Sequence, residues 1–202
     1  YMKMLKSLIV SDFNTTLRII NKIQLYNKLN ILTTEHKTNF VSLLFDNLVV
    51  DNFKNNLLGQ NLVTIFKIIK NIDTRSNDMN SIISKYYNLL LKNNDYLLIY
   101  IMKSITYFIQ NENADEAQIL IYAQKYNNNK DEFFKMYEKE LIQRSIKSNS
   151  KESIDIEKKI ITFIDNETIY DTNVLKKCLF DMEFSYQMTN DIKNLNINNK
   201  SY

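Results

Sequence analysis

Apolar residues recur along this chain at three- and four-residue intervals, the spacing that lines one face of an α-helix. In the clearest run Phe133, Tyr137 and Leu141 stand at i, i+4 and i+8, with Phe134 and Ile142 widening the stripe. Lys135, Lys139, Gln143 and Arg144 project elsewhere. Such a stripe buries on one side only, so it predicts an amphipathic helix in a bundle.

Helix boundaries fall at polar clusters whose Ser, Asp, Asn and Thr side chains can accept from the first free backbone donors. Ser11-Asp12 opens a helix through about Asn30 with Phe13, Leu17, Ile20 and Ile23 inward. Thr33-Thr34-Glu35 opens a second, carrying Phe40, Leu43, Leu44 and Leu48, and the two form an antiparallel pair. The pattern weakens from Asp51 to Gln60. Leu62, Val63, Ile65, Phe66, Ile68 and Ile69 then form a wide face, mostly buried and ended by Asn71-Ile72-Asp73. After a polar connector, Asp73 to Asn80, a helix with Ile82, Ile83, Tyr86, Leu89 and Leu90 ends at Asn93-Asn94-Asp95. Asp95 caps the near-continuous apolar segment Tyr96 to Ile109, which reads as a central buried helix. Asn111 to Asn113 is the next break. Ala114 to Tyr126 follows, with Ala117, Leu120 and Ile121 on one side, and Asn127-Asn128-Asn129 closes it. Beyond the Lys130 helix, Ser148-Asn149-Ser150 precedes a helix with Ile156, Ile160 and Phe163, and another carries Val174, Leu175 and Cys178. A last helix after Ser185 frays into Asn196 to Tyr202. The total is about ten helices.

Composition strengthens this reading. Proline is absent and Gly59 is the only glycine, so the usual punctuation of β-hairpins and kinked helices is missing. The fold class is all-α, an antiparallel helical bundle or stacked helical repeats. With 202 residues, 45% hydrophobic and 24% charged, the chain can bury one sizeable core or two stacked ones. The division expected is residues 1–75 as a repeat or bundle portion and 76–202 as a bundle with a frayed tail, or one continuous domain. Asn takes the loop and cap positions among abundant Lys, Ile and Tyr, a bias expected from an AT-rich coding sequence. No stretch reaches the roughly eighteen apolar residues of a membrane span. No secretory signal pattern stands at the start.

Net charge is +3, and the basic residues are dispersed, which argues against a nucleic-acid ligand. Lys67/Lys70 and Lys176/Lys177 read as solvated helix faces. The single cysteine, Cys178, reads as a packed thiol in a reducing compartment, hence a cytoplasmic or nuclear protein. One histidine, His36, and one cysteine leave the usual zinc and catalytic sets unavailable. A chain with one glycine has no glycine-rich phosphate cradle. Asp115/Glu116 and Asp131/Glu132 sit at helix starts, where they complement the helix dipole. No enzyme, cofactor or metal site is expected. The aromatic pairs Tyr86/Tyr87, Tyr96/Tyr100 and Tyr107/Phe108 leave a member free to act as an interface anchor.

Four stretches carry a family resemblance. Lys130-Asp131-Glu132-Phe133-Phe134-Lys135-Met136-Tyr137-Glu138-Lys139-Glu140-Leu141-Ile142-Gln143-Arg144 resembles the cullin pattern K-D-x-F-x-[KR]-x-Y-x-x-x-L-x-x-R. Leu175-Lys176-Lys177-Cys178-Leu179-Phe180-Asp181-Met182-Glu183-Phe184-Ser185 resembles the cullin L-x-x-M-F-x-D-M-x-x-S, with Cys178 and Leu179 in place of Met and Phe. Upstream, Lys85-Tyr86-Tyr87-Asn88-Leu89-Leu90-Leu91-Lys92 is similar to K-Y-C-D-x-L-L-K. Between the first two, Glu157, Ile160 and Phe163 stand for E-x-x-M-I-x-x-L with one residue of slippage. The family's G-x-x-F-T-x-K-L departs here, with Thr168, Asp171 and Val174 replacing Gly, Phe and Lys, while Thr172 and Leu175 remain.

The resemblance covers roughly residues 82–192 and implies a cullin-like helical bundle. That bundle would be a scaffold segment of a RING-type ubiquitin ligase, holding a substrate adaptor relative to a RING-box protein and its ubiquitin-conjugating enzyme, with no catalytic side chain of its own. The residues carrying it, Tyr86, Lys130, Asp131, Phe133, Tyr137, Leu141, Arg144, Leu175, Asp181 and Ser185, are expected to be structural core rather than contact residues. A different class of reading is a helical interaction module that takes a partner helix in an apolar groove, as a viral Bcl-2-like protein does. The absence of Trp excludes that family's N-W-G-R motif. A third is a structural helical domain of a larger complex.

Overall fold

The computed structural model of the chain describes residues 33–46, 57–71, 77–147, 150–168 and 170–198. Among these residues it is built of α-helices: α1 Thr34–Asp46, α2 Leu57–Asn71, α3 Asn77–Lys92, α4 Leu97–Gln110, α5 Ala114–Ala123, α6 Lys130–Lys147, α7 Lys151–Glu167 and α8 Asn173–Asn198. A 3-10 turn, Gln124–Tyr126, follows α5, and no strand occurs among the described residues. The chain is all-α. The helix expected from Ser11 to Asn30, its pairing with the next helix, and Leu48 lie outside the described residues.

The chain divides into two compact units, Tyr1–Ile101 with Ala123–Asn128, and Met102–Tyr122 with Asn129–Tyr202. In the first, α1 packs on α3 and α3 packs on the 3-10 turn. Its centre is aromatic. Phe66 meets Tyr87 edge-on at 5.1 Å, Phe45 edge-on at 6.1 Å, and stacks with Tyr126 at 6.1 Å. Gln124 is buried and donates to the Tyr87 hydroxyl at 3.0 Å. The carbonyl of Tyr126 accepts from Ser84 Oγ at 2.9 Å and Asn88 Nδ2 at 2.7 Å, while Asn88 Oδ1 accepts from the Asn128 amide. Side chains of α3 thus satisfy the backbone groups that the short 3-10 turn leaves open.

In the second unit α8 packs on α6 and α7. Its buried residues include Phe133, Phe134, Tyr137 and Leu141 from α6, Ile154, Ile160, Ile161 and Ile164 from α7, and Leu175, Leu179 and Met182 from α8. Ser150 caps α7, accepting from the Ser153 amide at 3.2 Å. This is the start signal read in Ser148-Asn149-Ser150.

Several local expectations are corrected. Asn77 to Asn80, read as connector, form the first turn of α3, and Gly59 and Gln60 lie inside α2. Asp95 does not cap α4. That helix begins at Leu97, whose amide is bonded to the Asn94 carbonyl, and no Asp95 side-chain hydrogen bond occurs among the described residues. Nor is α4 buried all round, for Leu97, Ile101, Met102, Ile105, Phe108 and Ile109 are buried whereas Ile99, Tyr100 and Tyr107 are exposed. The segment is apolar because its outer residues are aromatic and aliphatic too, and composition without periodicity conceals which face is covered. No break occurs at Ser185, and α8 runs unbroken to Asn198. Val174 and Ile142, placed on apolar stripes, are exposed, because α8 turns Leu175 inward and α6 turns Leu141 inward instead.

The end of α4 is closed by a Schellman arrangement. Asn113 N donates to Phe108 O at 2.8 Å and Glu112 N to Ile109 O at 3.1 Å. Glu112 therefore occupies the left-handed position, with φ 58°. Glycine is favoured there because a Cβ costs about 1–2 kcal/mol, and a carboxylate beside a helix C-terminus opposes the dipole as well. Glu112→Gly is expected to stabilise the chain by about 0.5–1 kcal/mol, the strain relieved exceeding the entropy glycine adds to the unfolded chain. Urea unfolding checks this, and an unchanged or lowered midpoint would count against it.

Candidate functional site

The second unit buries a polar network that an apolar stripe alone does not require. Tyr137 and Arg144 are seven residues apart on α6, two turns along one face, and Glu157 reaches them from α7. Arg144 Nε donates to Glu157 Oε1 at 2.6 Å, and Tyr137 Oη donates to Glu157 Oε2 at 3.0 Å. Arg144 Nη1 donates to Thr106 Oγ1 at 3.2 Å. The guanidinium carbon also lies 5.2 Å from the centre of the Tyr137 ring. Tyr137 is fully buried, and Glu157 and Arg144 are 1% and 7% exposed.

The electrostatics follow from that burial. Burial, followed by the charge of Glu157, holds the Tyr137 hydroxyl far above its ordinary pKa, so it stays neutral and donates. Burial opposes the charge of Arg144, but the neighbouring Tyr137 and Glu157 oxygens outweigh it and raise the pKa. Charge and hydrogen bonds are thus matched within the network, except that Arg144 Nη2 is buried with no partner.

Arg144 and Glu157 also line a cavity of about 260 Å³ with Ile109, Gln110, Glu112 and Glu152. Glu112 and Glu152 are exposed. Every ionised oxygen of Glu157 is engaged by a donor, and Arg144 and Tyr137 keep their protons at neutral pH. The arrangement suits fixing the angle between α6 and α7.

Of the residues singled out in the sequence, Phe133, Tyr137, Leu141, Arg144 and Leu175 lie buried in the second unit. Arg144 corrects the periodicity reading alone, which has it project away from the core while the resemblance sets it among the core residues. Lys130, Asp131, Asp181 and Ser185 correct another, being exposed rather than core. The first two start α6, where the acidic Asp131 meets the positive end of the helix. Tyr86 belongs to the first unit, half-buried and stacked on Phe45 at 6.5 Å. The burial of Arg144 had one available signal, its i+7 spacing from Tyr137 with an acid in the next helix.

Cys178 is half-buried, and burial pushes its thiol up, keeping it protonated and a weak nucleophile. No group of three or more His, Cys, Asp or Glu among the described residues is placed to hold a metal ion. Among the described residues no helix is long and apolar enough to cross a membrane. No family model, curated protein or solved structure matches the chain.

Proposed function

We propose that this chain is a cullin-like scaffold segment, a helical spacer that positions a substrate adaptor relative to a RING-box protein and its ubiquitin-conjugating enzyme. Its work is geometric, since a rigid bundle sets the distance and direction at which a substrate lysine meets the charged enzyme and so raises their effective concentration. No side chain of its own takes part in the chemistry.

One observation carries the reading. The polar residues at the Y and R positions of the first cullin-like stretch, Tyr137 and Arg144, and at the E position of the middle stretch, Glu157, are the three joined in the buried network. Helix periodicity accounts for matching leucines and phenylalanines in any amphipathic sequence. It does not account for a tyrosine, an arginine and a glutamate meeting in one core.

The experiment is affinity purification of the full-length protein from its source cells, with the co-purifying proteins identified by mass spectrometry. A RING-box protein together with an adaptor or conjugating enzyme is the expected result. Recovery without any of these three would overturn the proposal.

A further inference from the structure

Helix α8 has two apolar faces where a surface helix needs one. Leu175, Leu179 and Met182 are buried, yet Phe180, Phe184, Met188 and Ile192 are 65%, 57%, 47% and 54% exposed. The exposed four recur every four residues. At about 100° per residue they form a ridge on the side of the helix away from the buried three. At those exposures the ridge presents roughly 400 Å² of apolar surface, within the range of the largest, often functional, patches on single chains.

We propose that this ridge is the contact of a two-fold homodimer in which α8 of each copy crosses α8 of the other, antiparallel, at Phe184. Two features favour a second copy as occupant, and the size of the ridge sets how tightly it is held. The first is the spacing, since ridges of four-residue steps pack into each other's grooves when two helices cross at about 50°. A surface of that kind can therefore be its own partner in an isologous contact.

The second feature is charge. With the axis at Phe184, Phe180 of one copy faces Met188 of the other. Lys177, seven residues before the axis, then faces Asp191, seven after it, and symmetry repeats the pair. Both side chains are exposed, and neither has an ion pair among the described residues. Moving the axis to Tyr186 would set Asp181 against Asp191, two like charges. The charges therefore favour the Phe184 axis over the Tyr186 one.

Size sets the strength of the contact. Roughly 400 Å² of apolar ridge on each copy lies below the ~800 Å² per partner of a standard stable interface, which sets the dimer among weak, concentration-dependent ones.

Sedimentation velocity on the chain from about 5 to about 500 µM tests this, with a dissociation constant on the order of 10–100 µM expected. Phe184→Asp replaces an exposed residue, leaves the helical circular dichroism unchanged, and is expected to give monomer throughout. Lys177→Asp and Asp191→Lys are each expected to weaken association several-fold, and the double reversal to recover it. The proposal is overturned if the parent chain stays monomeric at the highest concentration. It is equally overturned if Phe184→Asp associates as the parent does, or if the single charge reversals leave the constant unchanged.

Discussion

Glu157→Gln is expected to cost about 3–5 kcal/mol of unfolding free energy, the penalty for removing one partner of a buried ion pair. The size comes from what is left behind. Arg144 is 7% exposed and keeps its proton at any accessible pH, so in the Gln variant its charge stays in the core without the carboxylate that balances it. An amide oxygen can still accept from Tyr137 or from Arg144 Nε, but it brings no charge. A triple replacement, Tyr137→Phe with Arg144→Met and Glu157→Leu, removes charge and donors together and is expected to stay within about 1–2 kcal/mol of the parent. Urea unfolding at neutral pH reads both. A loss under about 1 kcal/mol for Glu157→Gln would mean that water reaches the network and would remove the argument for a charge-matched core.

The contrast between the single and triple changes bears on the proposed scaffold. A network that is stabilising only when complete fixes how α6 and α7 meet, because a different angle would separate Glu157 from its donors. Hydrophobic residues alone pack well in several arrangements. Specifying one helix-helix geometry is what a spacer requires, whereas stability by itself could be supplied by leucine.

Sequence periodicity reveals the helices because each is amphipathic over several turns, and most ends coincide with Asn and Ser clusters. It fails where both faces of a helix are apolar. The segment Tyr96 to Ile109 reads as fully buried although Tyr96 and Tyr107 are open to solvent, and Val174 reads as core although Leu175 beside it takes that place. Periodicity also passes over Arg144, since a cationic residue is assigned outward by default and only a partner on another helix reverses that. Glu157 is such a partner, but which acid of α7 faces inward depends on how two helices approach, which the sequence of either does not contain. Exposed motif positions such as Asp181 and Ser185 were equally illegible, because a pattern match does not say which side of a helix faces the core.

Phe66→Ala is the counterpart test for the first unit, and it is expected to cost about 3–5 kcal/mol through the cavity it opens. Phe66 is fully buried and its ring meets Phe45, Tyr87 and Tyr126 at 5.1 to 6.1 Å. These three come from α1, α3 and the 3-10 turn, so one truncation strips contacts from three elements at once. Large, stiff rings cannot collapse into the space as leucines partly can, which places the cost toward the upper end. Phe66→Leu keeps most of the volume and is expected to lose clearly less. Tyr87→Phe isolates the polar part, because the ring stays while the hydrogen bond from Gln124 Nε2 is lost, at about 0.5–1.5 kcal/mol. The order Phe66→Ala above Tyr87→Phe, read from urea midpoints, follows if ring packing holds this unit together. The reverse order would show that the Gln124–Tyr87 hydrogen bond, rather than the aromatic cluster, fixes how the 3-10 turn returns against α3.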